Sequence, residues 1–245
     1  MKTLIIIPSR LAATRLPGKP LLKINGLSII SHVVRKAEEA NIGEVYVAAE
    51  DQEIVDDVKK NGGQAILTNN NHKTGTDRIY EAIKKLRKTN IDLVMNLQGD
   101  EPLIDIKDIK NLYNQMIKTK FNLGTLASKI LNQNVHENQN VVKVITKEGL
   151  KNSNFPEAKN FMRKSTDNLN ENIYHHLGIY CYQLETLKNF VSFNQSVNEI
   201  KNKLEQLRAT DNDIKINVAL AKFSSNGVDT MEDYLALKKI LEYKS

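Results

Sequence analysis

Three observations predict an α/β fold with a mostly parallel central sheet and helices on both faces. Apolar runs of strand length alternate with amphipathic helical stretches through the first half of the chain, the pattern that builds right-handed βαβ units. The first run, "TLIII" (Thr3–Ile7), is apolar almost throughout, as a strand covered on both faces requires. The chain has 245 residues, of which 40% are hydrophobic and 26% charged, enough to bury one sizeable core.

Each element follows from local pattern. After Thr3–Ile7 comes a loop with prolines at 8, 17 and 20, which forbid a continuous helix. "LLKINGLSII" carries Asn25-Gly26, a tight-hairpin signal. "SHVVRKAEEA" sets Val33, Val34 and Ala37 at helical spacing, and "EVYVAAE" reads as a second strand. "DQEIVDDVKKNGG" is a helix ending on glycine, followed by the strand "QAILT". "TDRIYEAIKKLRK" aligns Ile79, Ile83 and Leu86 on one helical stripe. "IDLVMNLQGDEP" is a fourth strand running into an acidic corner, and "IDIKDIKNLYNQMIKT" another helix. "NLGTLASKI", "NVVKVITK", "HHLGIYCYQ" and "KINVALAKF" supply further strands. They are interrupted by a polar stretch, 147–172, and by a helix ending in "LEQLRA"; "MEDYLALKKILEYK" is the last helix. Without an internal repeat or long linker, the chain reads as one domain, 1–245, with a smaller lobe within 122–200.

Composition narrows the function. The charge of +6, from 35 basic and 29 acidic residues, suits an anionic small molecule. It does not point to nucleic acid: only 6% of residues are aromatic and no cluster of stacking residues appears. The single cysteine, Cys181, forms no intrachain disulfide and reads as structural. The apolar stretch before Pro8 is too short for a signal peptide, and no run approaches the roughly 20 apolar residues of a membrane span. A cytoplasmic protein without a membrane partner is expected.

In α/β sheets of this kind ligands bind beyond the carboxyl ends of the strands, where the unusual polar residues fall. Arg10, Arg15, Gly18 and Lys19 follow strand one, Gly75 and Arg78 follow strand three, and "QGDEP" (98–102) follows strand four. Three loops should share one rim. The cations suit a triphosphate and a departing pyrophosphate, and Gly18 would let backbone amides approach the phosphates. Neither a Walker A loop nor a dinucleotide fingerprint is present. Asp100 opposite a cationic phosphate loop calls for a cation such as Mg²⁺, although an aspartate also caps turns there. Asp229 is the second candidate ligand: Thr230 and Asp233 make their own capping pair, so the helix following Asp229 can be capped without it. Of His175 and His176, adjacent on a strand, one can face a given site; a buried, hydrogen-bonded histidine is the alternative. Glu205 and Arg208, three apart on a predicted helix, either pair with each other or grip an acidic sugar.

Taken in order, "IIIPSRLAATRLPGKPLLKINGLSII", "HKTGTDR", "NLQGDEPLI", "HHLGIYCY", "LEQLR" and "GVDTMEDY" resemble the 3-deoxy-manno-octulosonate cytidylyltransferase (CMP-Kdo synthetase) family across nearly the whole chain. The resemblance implies a nucleotidyltransferase, Rossmann-like fold, a homodimer, and a lobe for sugar binding and dimerisation. It implies a Mg²⁺-dependent transfer of CMP from CTP to Kdo, an acidic eight-carbon sugar, for lipopolysaccharide synthesis. Arg10, Arg15 and Lys19 would lie along the CTP phosphates, with Lys19, Arg15 and Asp100 catalytic. Gly75 and Arg78 would frame the nucleotide, and Asp100 and Asp229 would hold magnesium. Gln98, His176, Tyr180, Glu205 and Arg208 would serve the sugar. Three positions depart from the family pattern: Ala13 replaces an expected serine, His175 stands where arginine is common, and "AKNFMRKSTDN" only faintly matches the family's "YFSR…IP", Arg163 aligning with its arginine. Competing readings are a sialic-acid-like acceptor, or a nucleotide-binding regulator without turnover.

Overall fold

A computed structural model describes residues 1–12, 15–131, 134–164, 172–222 and 227–243. Ala13 lies outside these residues, as does most of the polar part of the divergent segment, 165–171. The chain opens with β1 (Thr3–Ser9), a 3₁₀ turn at Lys19–Leu21, and the hairpin β2 (Lys23–Ile24) and β3 (Leu27–Ser28). Then come α1 (Ile29–Glu39), β4 (Glu44–Ala49), α2 (Gln52–Lys60), β5 (Ala65–Leu67), α3 (Gly75–Leu86) and β6 (Leu93–Asn96). α4 (Ile106–Thr119), β7 (Leu123–Ser128), α5 (Asn134–Glu137), β8 (Lys143–Thr146), β9 (Ala158–Met162) and β10 (Ile173–Gln183) follow. The chain closes with α6 (Leu184–Ser192), α7 (Val197–Asn202), α8 (Leu207–Thr210), β11 (Asn217–Leu220) and α9 (Met231–Tyr243). Among these helices none is long and apolar enough to cross a membrane.

The chain forms two compact units. One comprises residues 2–91, 95–106 and 225–245. In it β1 runs parallel to β4, with Ile5 opposite Val45, and β4 runs parallel to β5, with Ala48 opposite Ile66. The βαβ reading of this half is therefore correct. Leu4 to Ile7 are fully buried, which explains why that run lacks polar alternation. Asn25 and Gly26 take φ of 50° and 77°, the left-handed pair that a two-residue hairpin turn needs. A small cluster of Leu16, Ile24, Ile29, Val228 and Leu237 ties the basic loop to the hairpin and to the segment before α9.

The other unit comprises residue 1 and residues 92–94 and 107–224. Here β11 is parallel to β7, while β10 is antiparallel to both β7 and β8, and β8 to β9. The sheets thus combine parallel βαβ pairing with an antiparallel patch.

Four details depart from the sequence reading. β1 continues through Pro8 to Ser9, since Pro8 still pairs in register opposite Ala48. α1 starts at Ile29, because Ser28 Oγ accepts the Ser31 N–H and caps it earlier than "SHVV" suggests. The polar stretch 147–172 contains β9, whose Ala158 and Phe161 face inward while Lys159 and Asn160 are exposed. Finally, "LEQLRA" is not the end of one helix: α7 stops at Asn202, Lys203 takes φ of 53°, and Glu205 lies in a turn before the four-residue α8.

Candidate active site

The predicted rim is present in the first unit as a cavity of about 410 Å³. Arg10, Arg15 and Lys19 line it after β1, Gly75 and Arg78 at the start of α3, Gln98 and Asp100 after β6, and Asp229 before α9. The strands behind it are not three consecutive neighbours, because β4 separates β1 from β5. What brings the loops together is close packing on Pro8. A Cβ at Gly75 would lie 3.3 Å from the Pro8 ring, and one at Gly99 only 3.0 Å from the Pro8 carbonyl oxygen. Glycine at these two positions lets both loops reach the end of β1.

The cationic loop is held by its own backbone and by apolar anchoring. Gly18 N–H donates to the Leu11 carbonyl at 3.3 Å, the Leu11 N–H donates to Asp51 Oδ2 at 2.7 Å, and Leu16 is buried. Gly18, with φ of 69°, then turns the chain into the 3₁₀ segment that begins at Lys19. On the opposite side, the Val228 N–H donates to the Asp100 carbonyl at 2.9 Å, which sets the 228–229 segment beside the 98–101 loop. As a result both carboxylates reach one ammonium. Lys19 Nζ lies 2.6 Å from Asp100 Oδ2 and 3.3 Å from Asp229 Oδ1, with only 13% of its side chain exposed. Arg15 Nη2 meets Asp229 Oδ2 at 2.9 Å. Asp229 does not cap α9: the Thr230 hydroxyl accepts the Asp233 N–H, and the Asp233 carboxylate accepts the N–H groups of Asp229 and Thr230.

Arg78 has a different environment from the other cations. It is buried, donates to Thr68 Oγ1 at 2.8 Å and the Asn69 carbonyl at 3.0 Å, and pairs with Glu50. It lines the cavity with its guanidinium already engaged by Thr68, Asn69 and Glu50. Sequence reasoning singled out Gly75 and Arg78 in "NNNHKTGTDR" but passed over His72, Lys73 and Thr74, which also line the cavity.

The remaining predicted residues lie in the second unit. His176 is buried on β10, its Nε2 3.0 Å from Thr125 Oγ1, with the Phe161 and Tyr180 rings around it. Because the Thr125 hydroxyl also lies 2.7 Å from the Ile179 carbonyl, it donates there and accepts from His176. Burial, and secondarily His175, pulls His176 down to about 3, so the ring stays neutral. Tyr180 is buried beside it; burial, then Tyr182 and Glu205, push its hydroxyl well above the usual value. Glu205 and Arg208 do not lie on one helix, because Glu205 precedes the four-residue α8 that carries Arg208. The Nε and Nη2 of Arg208 bind the two Glu199 oxygens at 2.9 and 2.7 Å in a buried bidentate pair, and its guanidinium lies 4.7 Å from the Phe190 ring centre.

Cys181 is fully buried on β10, and burial pushes its thiol up to about 12. The thiolate is the reactive form, so a disulfide-exchange reagent should label Cys181 only after denaturation. Labelling of the folded chain at pH 7.5 would refute the structural assignment.

The chain matches the cytidylyltransferase family model over residues 4–216. A 3-deoxy-manno-octulosonate cytidylyltransferase of Paramagnetospirillum magneticum is 38% identical over 241 residues, covering 98% of this chain and 97% of that protein. This chain belongs to the 3-deoxy-manno-octulosonate cytidylyltransferase family. A relative with the same description from Thermodesulfovibrio yellowstonii is 41% identical over 253 residues, 98% of each chain. The family's fold is shared throughout: a solved structure of CMP:2-keto-3-deoxy-manno-octonic acid synthetase complexed with CTP superimposes with a TM-score of 0.89, at 32% identity and full coverage of both chains. The chain therefore has the nucleotidyltransferase fold predicted for it, and it is a cytidylyltransferase.

Proposed function

We propose that this chain transfers CMP from CTP to the anomeric hydroxyl of 3-deoxy-manno-octulosonate, releasing pyrophosphate, in the cytoplasmic supply of lipopolysaccharide sugar. The observation that carries the chemistry is Lys19 held between Asp100 and Asp229 in a cavity whose rim also carries Arg10 and Arg15. A triphosphate meets the cations, and the carboxylates meet its counter-ion.

The donor set fits magnesium. Two hard carboxylates already converge on a single cation, Lys19 Nζ, and Mg²⁺ is commonly held by one or two carboxylates together with substrate phosphates. Among the described residues no group of three or more His, Cys, Asp or Glu could hold a metal ion on its own. Asp100 and Asp229 would hold the magnesium, and when bound it supplies charge neutralisation at the reacting phosphate.

The residues of the chain divide the remaining work. Arg10, Arg15 and Lys19 bind the phosphates, and Lys19 stabilises the charge that grows on the leaving pyrophosphate. Gly75 admits the nucleotide beside Pro8, and Arg78 keeps that wall in place. The sugar oxygen forms a bond to the α-phosphorus as the bond to the β-phosphate oxygen breaks, and the hydroxyl proton passes to solvent. Gln98, on the cavity rim, offers a polar contact to the sugar. His176, Tyr180 and Arg208 are buried within the other unit, where Glu205 also lies.

The test is pyrophosphate release from CTP and Mg²⁺ with Kdo, N-acetylneuraminate and hexose 1-phosphates as separate acceptors. Release with Kdo alone is expected; release with no acceptor would overturn the reading, and release with N-acetylneuraminate alone would move the specificity. Asp100→Asn should abolish release while thermal unfolding stays within a few degrees of the parent; retained turnover would remove Asp100 from the site.

A further inference from the structure

We propose that Glu81 is a positioning residue for the nucleotide: through His72 and the Asn69 peptide it holds the 69–75 wall of the cavity in its binding conformation. The inference rests on the reading of this cavity as the CTP site.

The wall between β5 and α3 has no regular structure of its own, yet His72, Lys73, Thr74 and Gly75 all line the cavity. Two side chains one turn apart on α3 fix it. Arg78 donates to the Asn69 carbonyl at 3.0 Å, and Glu81 accepts the Asn69 N–H with both oxygens, at 3.2 and 3.1 Å. The Asn69 peptide is thus gripped at its carbonyl by a cation and at its N–H by an anion. Glu81 also binds His72 Nε2 and takes Lys85 Nζ at 2.8 Å.

Glu81 is buried and does not itself line the cavity, whereas His72 does. The nitrogen facing a carboxylate must carry the ring hydrogen, so in the neutral ring Nδ1, for which no hydrogen-bond partner is found among the described residues, is an acceptor. Glu81 therefore sets both the orientation and the tautomer of a ring on the wall. Its charge is secure: burial acts to raise its pKa, but hydrogen bonds from Lys85, His72 and the Asn69 N–H outweigh it and hold the carboxyl at about 2.

Ordering a free loop costs backbone conformational entropy at every residue fixed. A wall fixed beforehand spares the ligand that cost, and a loosened wall reclaims it from the binding energy. The effect should appear in nucleotide affinity and leave the chemical step alone.

The experiment measures steady-state kinetics and direct CTP binding for the full chain and for Glu81→Ala, Glu81→Gln and His72→Ala. Glu81→Ala should raise the KM and Kd for CTP about tenfold with kcat within twofold. Glu81→Gln, which keeps one acceptor oxygen, should fall between it and the parent. His72→Ala should weaken CTP as well, and adding it to Glu81→Ala should cost little more, because both act on one path. An unchanged KM, a loss confined to kcat, or additive effects of the two alanines would overturn the proposal. If Glu81→Ala does not fold, Glu81→Gln and His72→Ala decide: unchanged CTP affinity in both overturns it, and weakened affinity with intact kcat upholds it. Failure of the parent chain to bind CTP would instead overturn the proposed function.

Discussion

Lys19→Met should reduce kcat/KM by a factor of about 10² to 10³, the usual scale for deleting one group that stabilises transition-state charge. The geometry makes Lys19 the pivot of the site. It contacts both Asp100 and Asp229, and it comes from the loop that also delivers Arg15. Methionine keeps much of its length and removes only the charge. The fold should survive: Asp229 is 46% exposed and retains Arg15, and ion pairs with that much solvent contribute about 1 kcal/mol or less. Thermal unfolding should therefore shift by no more than a few degrees while turnover collapses. The same variant gives a second readout. With the ammonium gone, Asp100 loses the cation it faces and Asp229 keeps Arg15, so Mn²⁺ added without nucleotide should bind more tightly than to the parent, as followed by its paramagnetic resonance signal. Turnover within a few-fold of the parent would remove Lys19 from the reaction. Unaltered Mn²⁺ binding would count against the two carboxylates as a metal pair.

Much of this site was legible because its residues sit where the chain changes pattern. The basic loop follows an apolar strand, Asp100 comes in the turn after another, and Asp229 precedes a helix that Thr230 and Asp233 cap without it. Each is local information, read within a few residues. Convergence was less legible: the loops after β1 and β5 meet although β4 lies between their strands, because Gly75 can pack on Pro8. Buried charges were the least legible. Glu81 and Arg78 look like the polar side of an amphipathic helix, yet both turn inward to grip Asn69. Arg208 was read against Glu205, three residues away, but a left-handed Lys203 breaks the helix and brings Glu199, nine residues away, onto the guanidinium. Spacing rules hold only while the helix continues. β9 was missed because a short strand with two exposed polar residues at its centre carries little apolar signal.

That buried pair yields the largest expected loss of stability. Arg208→Met should destabilise its unit by about 3–5 kcal/mol, the range for breaking a buried pair while leaving its partner in place. Glu199 is 3% exposed and would keep a carboxylate in the interior, still accepting from the Gln195 side-chain amide and the Ser196 N–H. At roughly 2–4 °C per kcal/mol for a chain of this size, the midpoint should fall by about 6–20 °C. Two further measurements separate charge from packing. In the parent, burial acts to raise the Glu199 pKa, but the hydrogen bonds from Arg208, Gln195 and the Ser196 N–H together with the Arg208 charge outweigh it, so the carboxyl titrates below its usual 4.5. A lowered folded pKa gives stability that is complete above the unfolded value and fades as pH falls through the folded one. Without Arg208 the burial effect is opposed by Gln195 and the Ser196 N–H alone, so the carboxyl should titrate higher than in the parent, and Arg208→Met should lose most at neutral pH and approach the parent in acid. Adding Glu199→Leu to Arg208→Met should restore more than 1 kcal/mol, since two apolar side chains replace one stranded charge. A deficit that does not vary with pH, or a double variant weaker than the single one, would assign the loss to the Phe190 packing of Arg208 instead of to its ion pair.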